Sequence, residues 1–250
     1  MFSKAKEILN IIRNSSRTFA LTGAGVSTLS GIPDFRTDAS GVWDRFDRNV
    51  IFDIDVFRRS PHLFYEFARE YIFSMKDVRP SEAHYFLAEL EKKGMLSGVA
   101  TQNIDGLHQA AGSKKVYELH GNPEISHCMS CGAEYSMDAT VKRLEGAKWP
   151  ECDCGGVIKP DVVFYGEQLP ENALEGSMNE ALRCDLLLVL GTSLVVYPAA
   201  SLPQIALRSG AAIIIFNKTP TPFDPYAEIT VEQDLKEVCE SLLQGMNSGD

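Results

Sequence analysis

Five short apolar runs recur along the chain, and longer segments with helical spacing separate them. Two of the runs, LLLVL and AAIIIF, contain no charged or polar side chain. A strand that is apolar on both faces must be covered on both faces, as in a parallel sheet between layers of helices. The predicted strands are 17–23, 97–103, 115–121, 185–192 and 211–217. This alternation predicts an α/β fold with a doubly wound, Rossmann-like parallel sheet.

The segments between the strands predict the helices. One helix is expected to follow Pro80 and Ser81, with the serine as its N-terminal cap, and to end at Gly94. Other helical patterns lie near 171–183, 198–209 and 233–244.

Two regions interrupt the alternation of strands and helices. Residues 32–80 contain no apolar strand pattern but carry many aromatic residues at mostly helical spacing. Residues 122–160 hold a group of cysteines and several polar turns. Both are interpreted as insertions into one parent sheet, which together form a smaller lobe.

The cysteines of the second insertion form two close pairs separated by twenty residues, and each pair lies beside a glycine that favours a turn. Two such pairs can supply four thiolates to one tetrahedral zinc ion. A site with four protein ligands is closed, so the zinc would be structural. The alternative is four reduced or disulfide-linked cysteines, and His127 is a further potential ligand. The predicted ligands are Cys128, Cys131, Cys152 and Cys154.

Composition limits the partners. The chain of 250 residues has 24 Lys and Arg against 34 Asp and Glu, a net charge of −10. This charge argues against a general nucleic-acid surface and fits a basic partner such as a lysine-rich peptide, although solubility alone also explains it. The N-terminal segment shows no signal peptide, and the apolar runs are too short to cross a bilayer. A cytoplasmic protein with no membrane partner is therefore expected, and in that reducing compartment the four clustered cysteines favour a metal site over disulfides. Cys184 and Cys239 are expected to be buried.

The first predicted strand leads into Gly23-Ala24-Gly25, the beginning of a dinucleotide-binding loop. The third glycine of that fingerprint is missing, because Thr28 stands in its place. The loop therefore predicts backbone close to a phosphate but not a standard dehydrogenase site. The alternative is a tight turn between a strand and a helix.

Three more motifs follow predicted strands, at the sheet edge where open α/β sheets bind ligands. They are TQNIDGLH (101–108), LHG (119–121) and GTSLVVYP (191–198). Together with GAGVSTLSGIPDFR (23–36), the cysteine pairs and KPDVVFYGE (159–167), they resemble the sirtuin family of NAD-dependent protein-lysine deacylases, in its short prokaryotic form. The resemblance covers nearly the whole chain in the family's order.

The resemblance implies a domain plan and a set of site residues. The NAD-binding domain would comprise 1–31, 81–121 and 161–250, with a cofactor loop and helical module at 32–80 and a zinc-binding module at 122–160. His120 and Asn103 would be catalytic. The residues expected to contact NAD are Gly23, Ala24, Gly25, Thr28, Phe35, Arg36, Gln102, Asn103, Ile104, Asp105, Gly191, Thr192, Ser193, Asn217 and Asp234.

The family's chemistry explains these residue types. Sirtuins break the bond between nicotinamide and ribose, and the acyl group of the lysine passes to the ribose. His120 would act as general base on a ribose hydroxyl, for which the pKa of histidine is suited. Asp105 is also interpretable as a helix cap and Asn217 as the end of a strand. His108 is expected to brace the helix after Asp105, while His62 and His84 are expected on helix surfaces.

In sirtuins an extended peptide pairs with the segment VVFYGE and with the loop after Ser193. The residues expected to bind substrate are Val162, Val163, Phe164, Gly166, Glu167 and Val195, and the alternative for the segment is an internal edge strand. Sirtuins that prefer acidic acyl groups carry a Tyr and an Arg three residues apart, whereas Tyr65 and Arg69 are four apart. A neutral acyl group, most simply acetyl, is expected. Mono-ADP-ribosyltransferase, non-catalytic NAD-binding and dehydrogenase functions are the alternatives.

Overall fold

The computed structural model describes residues 2–34 and 41–247. In chain order the strands are β1 (Thr18–Thr22), β2 (Val99–Thr101), β3 (Val116–Glu118), β4 (Gly121–Cys128), β5 (Glu134–Ser136), β6 (Ile158–Val162), β7 (Leu186–Leu190), β8 (Ala212–Phe216) and β9 (Ile229–Val231). The α-helices are α1 (Phe2–Asn14), α2 (Val42–Arg45), α3 (Arg48–Ile51), α4 (Ile54–Arg59), α5 (Pro61–Tyr71), α6 (Glu82–Lys92), α7 (Leu107–Ala111), α8 (Met137–Leu144), α9 (Glu171–Arg183), α10 (Leu202–Arg208) and α11 (Leu235–Asn247).

Six strands form one parallel sheet in the order β3-β2-β1-β7-β8-β9. The chain therefore winds outward from β1 in one direction and from β7 in the other, and the point of reversal lies between these two strands. The predicted α/β doubly wound sheet is confirmed, with all five predicted strands in it. The sixth strand, β9, at one edge of the sheet, was not predicted from the sequence.

Alternate residues of the central strands face opposite sides of the sheet. Ala20, Leu188 and Ile214 pack in one cluster with residues of α1, α6 and α11. On the other side, Leu187 and Ile213 pack with residues of α9 and α10. Burial on both faces is why these strands consist of almost unbroken apolar residues.

The predicted helix after Ser81 is α6, and its cap has a consequence for His84. Ser81 and His84 form a capping box, in which the Ser81 N–H donates to Nδ1 of His84. The imidazole folds back over the helix start and is buried. The expectation of a surface position for His84 is wrong, because this capping contact draws the ring inward. Gly94, with φ +72°, follows the end of the helix as predicted.

The smaller lobe joins helices α2–α5 to a three-stranded antiparallel sheet with the order β5-β4-β6. Aromatic rings hold the helices together, mostly edge to face, and Phe164 just after β6 enters the same cluster. The two sheets meet at Gly121, which follows β3 closely, begins β4 and pairs with Val162. The boundaries given above for the three parts of the chain stay a prediction.

Within residues 2–34 and 41–247, no helix combines the length and the apolar character needed to cross a membrane.

A buried carboxylate ties α9 to the amino-terminal edge of the parallel sheet. Glu180 accepts hydrogen bonds from Arg17, Ser97 and Lys115, which precede β1, β2 and β3. Burial by itself raises the pKa of Glu180, but the bonds from Lys115, Arg17 and Ser97 outweigh it and leave the pKa below its ordinary value of 4.5. The ionised form is therefore the one that stabilises the fold.

We expect Glu180→Gln to lower the free energy of unfolding by about 1–3 kcal/mol at pH 7, because bonds to a charged group are lost while both cations can still reach water. The wild type should lose this contribution as the pH falls below 4.5, because the unfolded chain then binds a proton that the folded state, with its lower pKa, does not. Urea unfolding at pH 7 and pH 4 measures both effects. Glu89→Gln, in a surface ion pair with Lys92, is the control and should change little. Equal effects of the two substitutions would contradict the role of Glu180.

Candidate active site

The loops that follow β1 and β7 touch backbone to backbone at the point where the sheet reverses. The N–H of Gly25 donates to the carbonyl of Gly191 at 2.9 Å. A Cβ on Gly25 would lie 2.7 Å from the Cα of Gly191, and one on Gly23 would lie 2.7 Å from the Cβ of Thr192. Gly191 itself has φ +62°, a conformation that favours glycine. The loop glycines are thus required by this contact, whatever else they bind.

Gln102 connects three strand ends at this edge. Its side-chain amide donates to Oγ1 of Thr192 at 2.9 Å, and its backbone carbonyl lies 2.8 Å from Nδ1 of His120. A carbonyl can only accept, so Nδ1 of His120 carries the proton and Nε2 is left with a lone pair. Burial lowers the pKa of His120, against a smaller opposing effect of the Gln102 bond. At neutral pH the imidazole is therefore an uncharged base.

A second network links the motif after β2 to the glycine loop. The side-chain amide of Asn103 donates to the Gly23 carbonyl at 3.2 Å and to Oγ of Ser27 at 3.0 Å. Ser27 in turn donates to Asp105 at 2.7 Å, and the other carboxylate oxygen accepts from the Leu107 N–H. Burial raises the pKa of Asp105, and these hydrogen bonds oppose the rise. Asp105 is not the N-terminal cap of α7, because Gly106 holds that position, although the carboxylate accepts from the first N–H of the helix.

Ser27 was not among the residues expected from the sequence. It is buried between Asn103 and Asp105 and holds both in place. Its only signal in the sequence is its position inside the motif that begins at Gly23. His108, expected to brace this region, is also buried and contacts Oγ1 of Thr22 at 2.9 Å.

The remaining expected cofactor residues are spread along the carboxyl edge of the sheet. Ala24 lies in a single 3₁₀ turn, and Thr28 is exposed with its hydroxyl bonded to the Gly25 carbonyl. Phe35 and Arg36 lie outside the described residues.

Farther along the same edge, Ser193 precedes Leu194, a buried residue with the unusual φ of 56°. Asn217 follows β8 and bonds the Thr219 carbonyl through its side chain, so the residue does end its strand. Asp234 accepts from the Lys236 N–H at the start of α11. The structure therefore brings Gly23–Gly25, Gln102–Asp105 and Gly191–Thr192 into direct contact and leaves Asn217 and Asp234 on the β8 side.

The segment expected to bind substrate runs from the small sheet toward α4. The Val163 N–H donates to the carbonyl of His120 at 2.9 Å, which fixes this segment beside the candidate base. Val162 is buried within β6, and Phe164 is buried in the aromatic cluster, so neither presents a side chain to solvent. Gly166 and Glu167 line a cavity of about 560 Å³, while Val195 is exposed on the loop after β7.

Ile104 and Asp105 also line a smaller cavity of about 260 Å³. Its other walls come from the end of α5 and from the first residues of β4. The expected nicotinamide residues thus lie where the parallel sheet meets the smaller lobe.

The four cysteine sulfurs form a compact cluster, and no two of them are more than 4.8 Å apart. A tetrahedral zinc with bonds of about 2.3 Å requires sulfurs about 3.8 Å apart, and two of the pairs here measure 3.5 and 3.6 Å. His127 points away, with Nδ1 bonded to Asp161 at 2.7 Å. A Cβ on Gly156 would lie 2.6 Å from the sulfur of Cys128, so the turn is shaped closely around the cluster. These residues fit one structural zinc ion.

Cys184 and Cys239 are both buried among apolar residues, as predicted.

We expect purified protein to contain about one zinc per chain. Cys131→Ser should release the metal and lower the melting temperature by at least about 5 °C, because the ligands hold β4, β5 and β6 together. Elemental analysis and a thermal melt measure the two effects. Cys184→Ala is the control and should retain zinc. Folded wild-type protein without zinc, or a Cys131→Ser variant that keeps it, would contradict the assignment.

Known proteins of one family are similar to this chain over almost its whole length. The model of the Sir2 family matches residues 23–198. The NAD-dependent protein deacetylase of Thermotoga maritima is 48% identical over 242 residues, 96% of this chain and 98% of that protein. NAD-dependent protein deacetylase 1 of Pyrobaculum aerophilum is 46% identical over 239 residues, 95% of this chain and 92% of that protein.

Solved structures agree with this result. A Sir2 complex with a p53 peptide and NAD+ is 46% identical, with a TM-score of 0.91, and the match covers 98% of this chain and 99% of that one. A Sir2 variant bound to deacetylated p53 peptide and 3′-O-acetyl ADP-ribose has the same identity and TM-score, with coverage of 96% and 97%. On these grounds, added to the glycine contact, the His120 site and the four-cysteine cluster, the chain belongs to the Sir2, or sirtuin, family.

Proposed function

We propose that this protein is an NAD-dependent protein-lysine deacetylase, which transfers the acetyl group of a lysine to ADP-ribose and releases nicotinamide and O-acetyl-ADP-ribose. One observation carries the proposal: the Gln102 carbonyl fixes the His120 proton on Nδ1, so that Nε2 is free to accept a proton at the ligand-binding edge of the sheet. The similarity to deacetylases over the full chain points to the same reaction.

NAD, when bound, supplies the ribose that loses nicotinamide and receives the acyl group. The residues of this chain would hold and orient it. The small backbone surface of the Gly23–Gly25 loop, with Thr192 and Ser193, lies where a pyrophosphate would meet the sheet edge. Ala24, Thr28, Phe35 and Arg36 would contact it from the loop above, and Asn217 and Asp234 from the β8 side.

Asn103, Ile104 and Asp105 would form the nicotinamide end of the site. Ser27 holds Asn103 and Asp105 at fixed positions, and this contact reduces the reorganisation needed when a ligand binds. The two side chains would thereby present their remaining polar atoms to the carboxamide and ribose.

His120 would remove a proton from a ribose hydroxyl, and the resulting oxygen attacks the acyl carbon. The Nε2 atom accepts this proton, while Nδ1 keeps its bond to Gln102 and orients the ring. Positive charge that develops on the imidazole is then stabilised by the carbonyl dipole of Gln102. The lowered pKa of His120 keeps the ring uncharged before the reaction.

The peptide would lie along Val162–Glu167 and the loop carrying Val195, by main-chain pairing. Because the Val163 N–H is bonded to the His120 carbonyl, the peptide segment and the base are part of one hydrogen-bonded unit. A partner rich in lysine also suits the net charge of −10. We also infer a cytoplasmic location, where the reducing conditions suit six cysteines of which none forms a disulfide.

Tyr65 and Arg69, which were compared above with the Tyr and Arg of sirtuins that prefer acidic acyl groups, already hydrogen-bond to backbone carbonyls of the smaller lobe. The Tyr65 hydroxyl is buried and donates to the Ile158 carbonyl. The Arg69 guanidinium donates to the carbonyls of Leu144 and Ala147. Both side chains join the helices of the smaller lobe to the residues around the zinc centre, so neither is available to bind a carboxylate on the acyl group.

We expect nicotinamide release from NAD when a peptide with acetyl-lysine is added, with O-acetyl-ADP-ribose as co-product. His120→Ala should lower kcat by about 10²–10⁴-fold, the usual value of a general base, and leave the KM for NAD within about threefold. Mass spectrometry of the products measures the reaction. His62→Ala, on α5, is the matched control and should behave as wild type.

Full activity of His120→Ala would contradict its role as base. Transfer of ADP-ribose to protein without any acyl-lysine would favour the mono-ADP-ribosyltransferase alternative. The pH profile adds a further test. Since only the uncharged imidazole is a base and its pKa lies below 6.5, kcat should begin to fall only at a pH below 6.5.

We expect acetyl-lysine and propionyl-lysine peptides of one sequence to react at similar rates, and the succinyl-lysine peptide to react at least about tenfold more slowly. The succinyl carboxylate would lose its water without gaining a cationic partner. A Sir2 structure with a propionylated peptide, 46% identical, shows that a neutral three-carbon group binds in a relative. Competition between the three peptides, followed by mass spectrometry, gives the ratio of kcat/KM. Faster removal of succinyl would overturn the assignment.

A further inference from the structure

Lys159 is a buried cation to which the proposed reaction assigns no role. It lies on β6, and only 8% of its surface is exposed. Burial of an ammonium group is unfavourable unless hydrogen bonds and an opposite charge replace its water. The partners of Lys159 therefore show what the charge is used for.

The ammonium group has three polar partners. Two of them, Val162 and Glu167, lie in the segment expected to bind the peptide, and the third, Pro160, lies just before it. Nζ donates to the carbonyl of Val162 at 2.7 Å and to that of Pro160 at 3.2 Å. It lies 2.9 Å from Oε2 of Glu167. It also lies 4.1 Å from the centre of the Phe164 ring, within the range of a cation–π contact.

Glu167, at the other end of the same segment, hydrogen-bonds to the backbone of Phe164. Its Oε2 accepts from the Phe164 N–H at 2.8 Å, and its own N–H donates to the Phe164 carbonyl at 3.0 Å. One carboxylate oxygen thus joins Lys159 to the backbone of Phe164. Burial lowers the pKa of Lys159, and Glu167 and Asp161 oppose that effect.

These bonds determine which backbone groups of the segment stay open to a partner. The N–H groups of Val163 and Tyr165 donate to the carbonyls of His120 and Phe52, and the Tyr165 carbonyl accepts from Ile54. Val162 and Phe164 are held by Lys159 and Glu167. In the described part of the chain, the backbone N–H of Gly166 has no backbone partner. A peptide strand can pair only with groups left open in this way.

We propose that Lys159 is a positioning residue for the peptide substrate: through Glu167 and the Val162 carbonyl, its ammonium group holds Val162–Glu167 in the conformation that pairs with the peptide backbone. This inference rests on the proposed function, because it takes that segment as the peptide site. The groups around the Lys159 ammonium belong to Pro160, Val162, Phe164 and Glu167, and none of these residues is expected to contact NAD. The effect of Lys159 should therefore appear in peptide binding and not in NAD binding.

The test replaces the ammonium group of Lys159 and measures the KM for the peptide and the KM for NAD separately. Lys159→Met keeps a long apolar stem but removes the three donors. We expect the KM for an acetyl-lysine peptide to rise at least about tenfold, and the KM for NAD to stay within about twofold. Lys159→Arg, which keeps the charge, should recover most of the loss. Lys92→Met, which removes an exposed lysine from α6, is the control and should match wild type.

An unchanged peptide KM in Lys159→Met, or an equal rise of both KM values, would overturn the proposal. Hydrogen exchange on the protein without substrates gives a second measurement. The amides of Phe164 and Glu167 should exchange faster in Lys159→Met than in wild type, and the amides of β7 should not change. If Lys159→Met melts below the assay temperature, the peptide KM and the exchange rates are measured on Lys159→Arg and Glu167→Gln instead. A Glu167→Gln variant with the wild-type peptide KM and wild-type exchange rates would then contradict the proposal.

The two proposals fail in different ways. Wild-type protein that leaves acetyl-lysine peptide and NAD unchanged would refute the deacetylase function. The exchange rates of Val162–Glu167 would still report whether Lys159 holds the segment. An active wild type whose Lys159 variants keep the wild-type peptide KM would refute only the positioning role.

Discussion

The backbone contact between Gly25 and Gly191 is the constraint on which the site depends. It brings the loops after β1 and β7 so close that no Cβ fits at either position without a shift. Neighbouring parallel strands whose helices lie on opposite faces leave a crevice at their carboxyl ends. The contact between the two glycines forms the floor of this crevice. Gln102 then reaches Thr192 across the crevice, and Asn103 reaches the carbonyl of Gly23. The positions of the polar groups follow from the approach of two glycines.

A second close approach connects this crevice to the smaller lobe. Gly121, with φ +68°, passes against the carbonyl of Asp161, and any side chain there would collide with it. The residue before it is His120, and the strand opposite leads into Val163, whose N–H is bonded to the His120 carbonyl. The cysteine cluster holds the far ends of the same strands. A zinc ion in the cysteine cluster, at the opposite end of β4 from His120, would thus affect the proposed reaction by keeping β4 and β6 paired.

The sequence was sufficient for the parts of the fold that repeat a period or a spacing. Five strands of the parallel sheet, the helix at 171–183 and the four cysteines could be predicted because apolar runs, amphipathic spacing and paired thiolates leave clear patterns. The edge strand β9 was not predicted. Ser27 could not be identified either, since its importance comes from two partners, Asn103 and Asp105, that are distant in sequence. The burial of Phe164 was missed because it depends on rings that are distant in sequence, among them Phe57 and Phe64.

The histidines show why residue type alone does not identify a base. His84 and His108 are more deeply buried than His120, and burial lowers the pKa of each, to about 4 for His84. In His84 the Nδ1 atom accepts from the Ser81 N–H, so the proton is on Nε2. In His120 a carbonyl faces Nδ1, and the proton is on that atom instead. The backbone partner of one ring nitrogen thus decides whether the other can accept a proton. His120 suits the proposed role of general base because the chain turns a carbonyl, and not an N–H, toward its Nδ1.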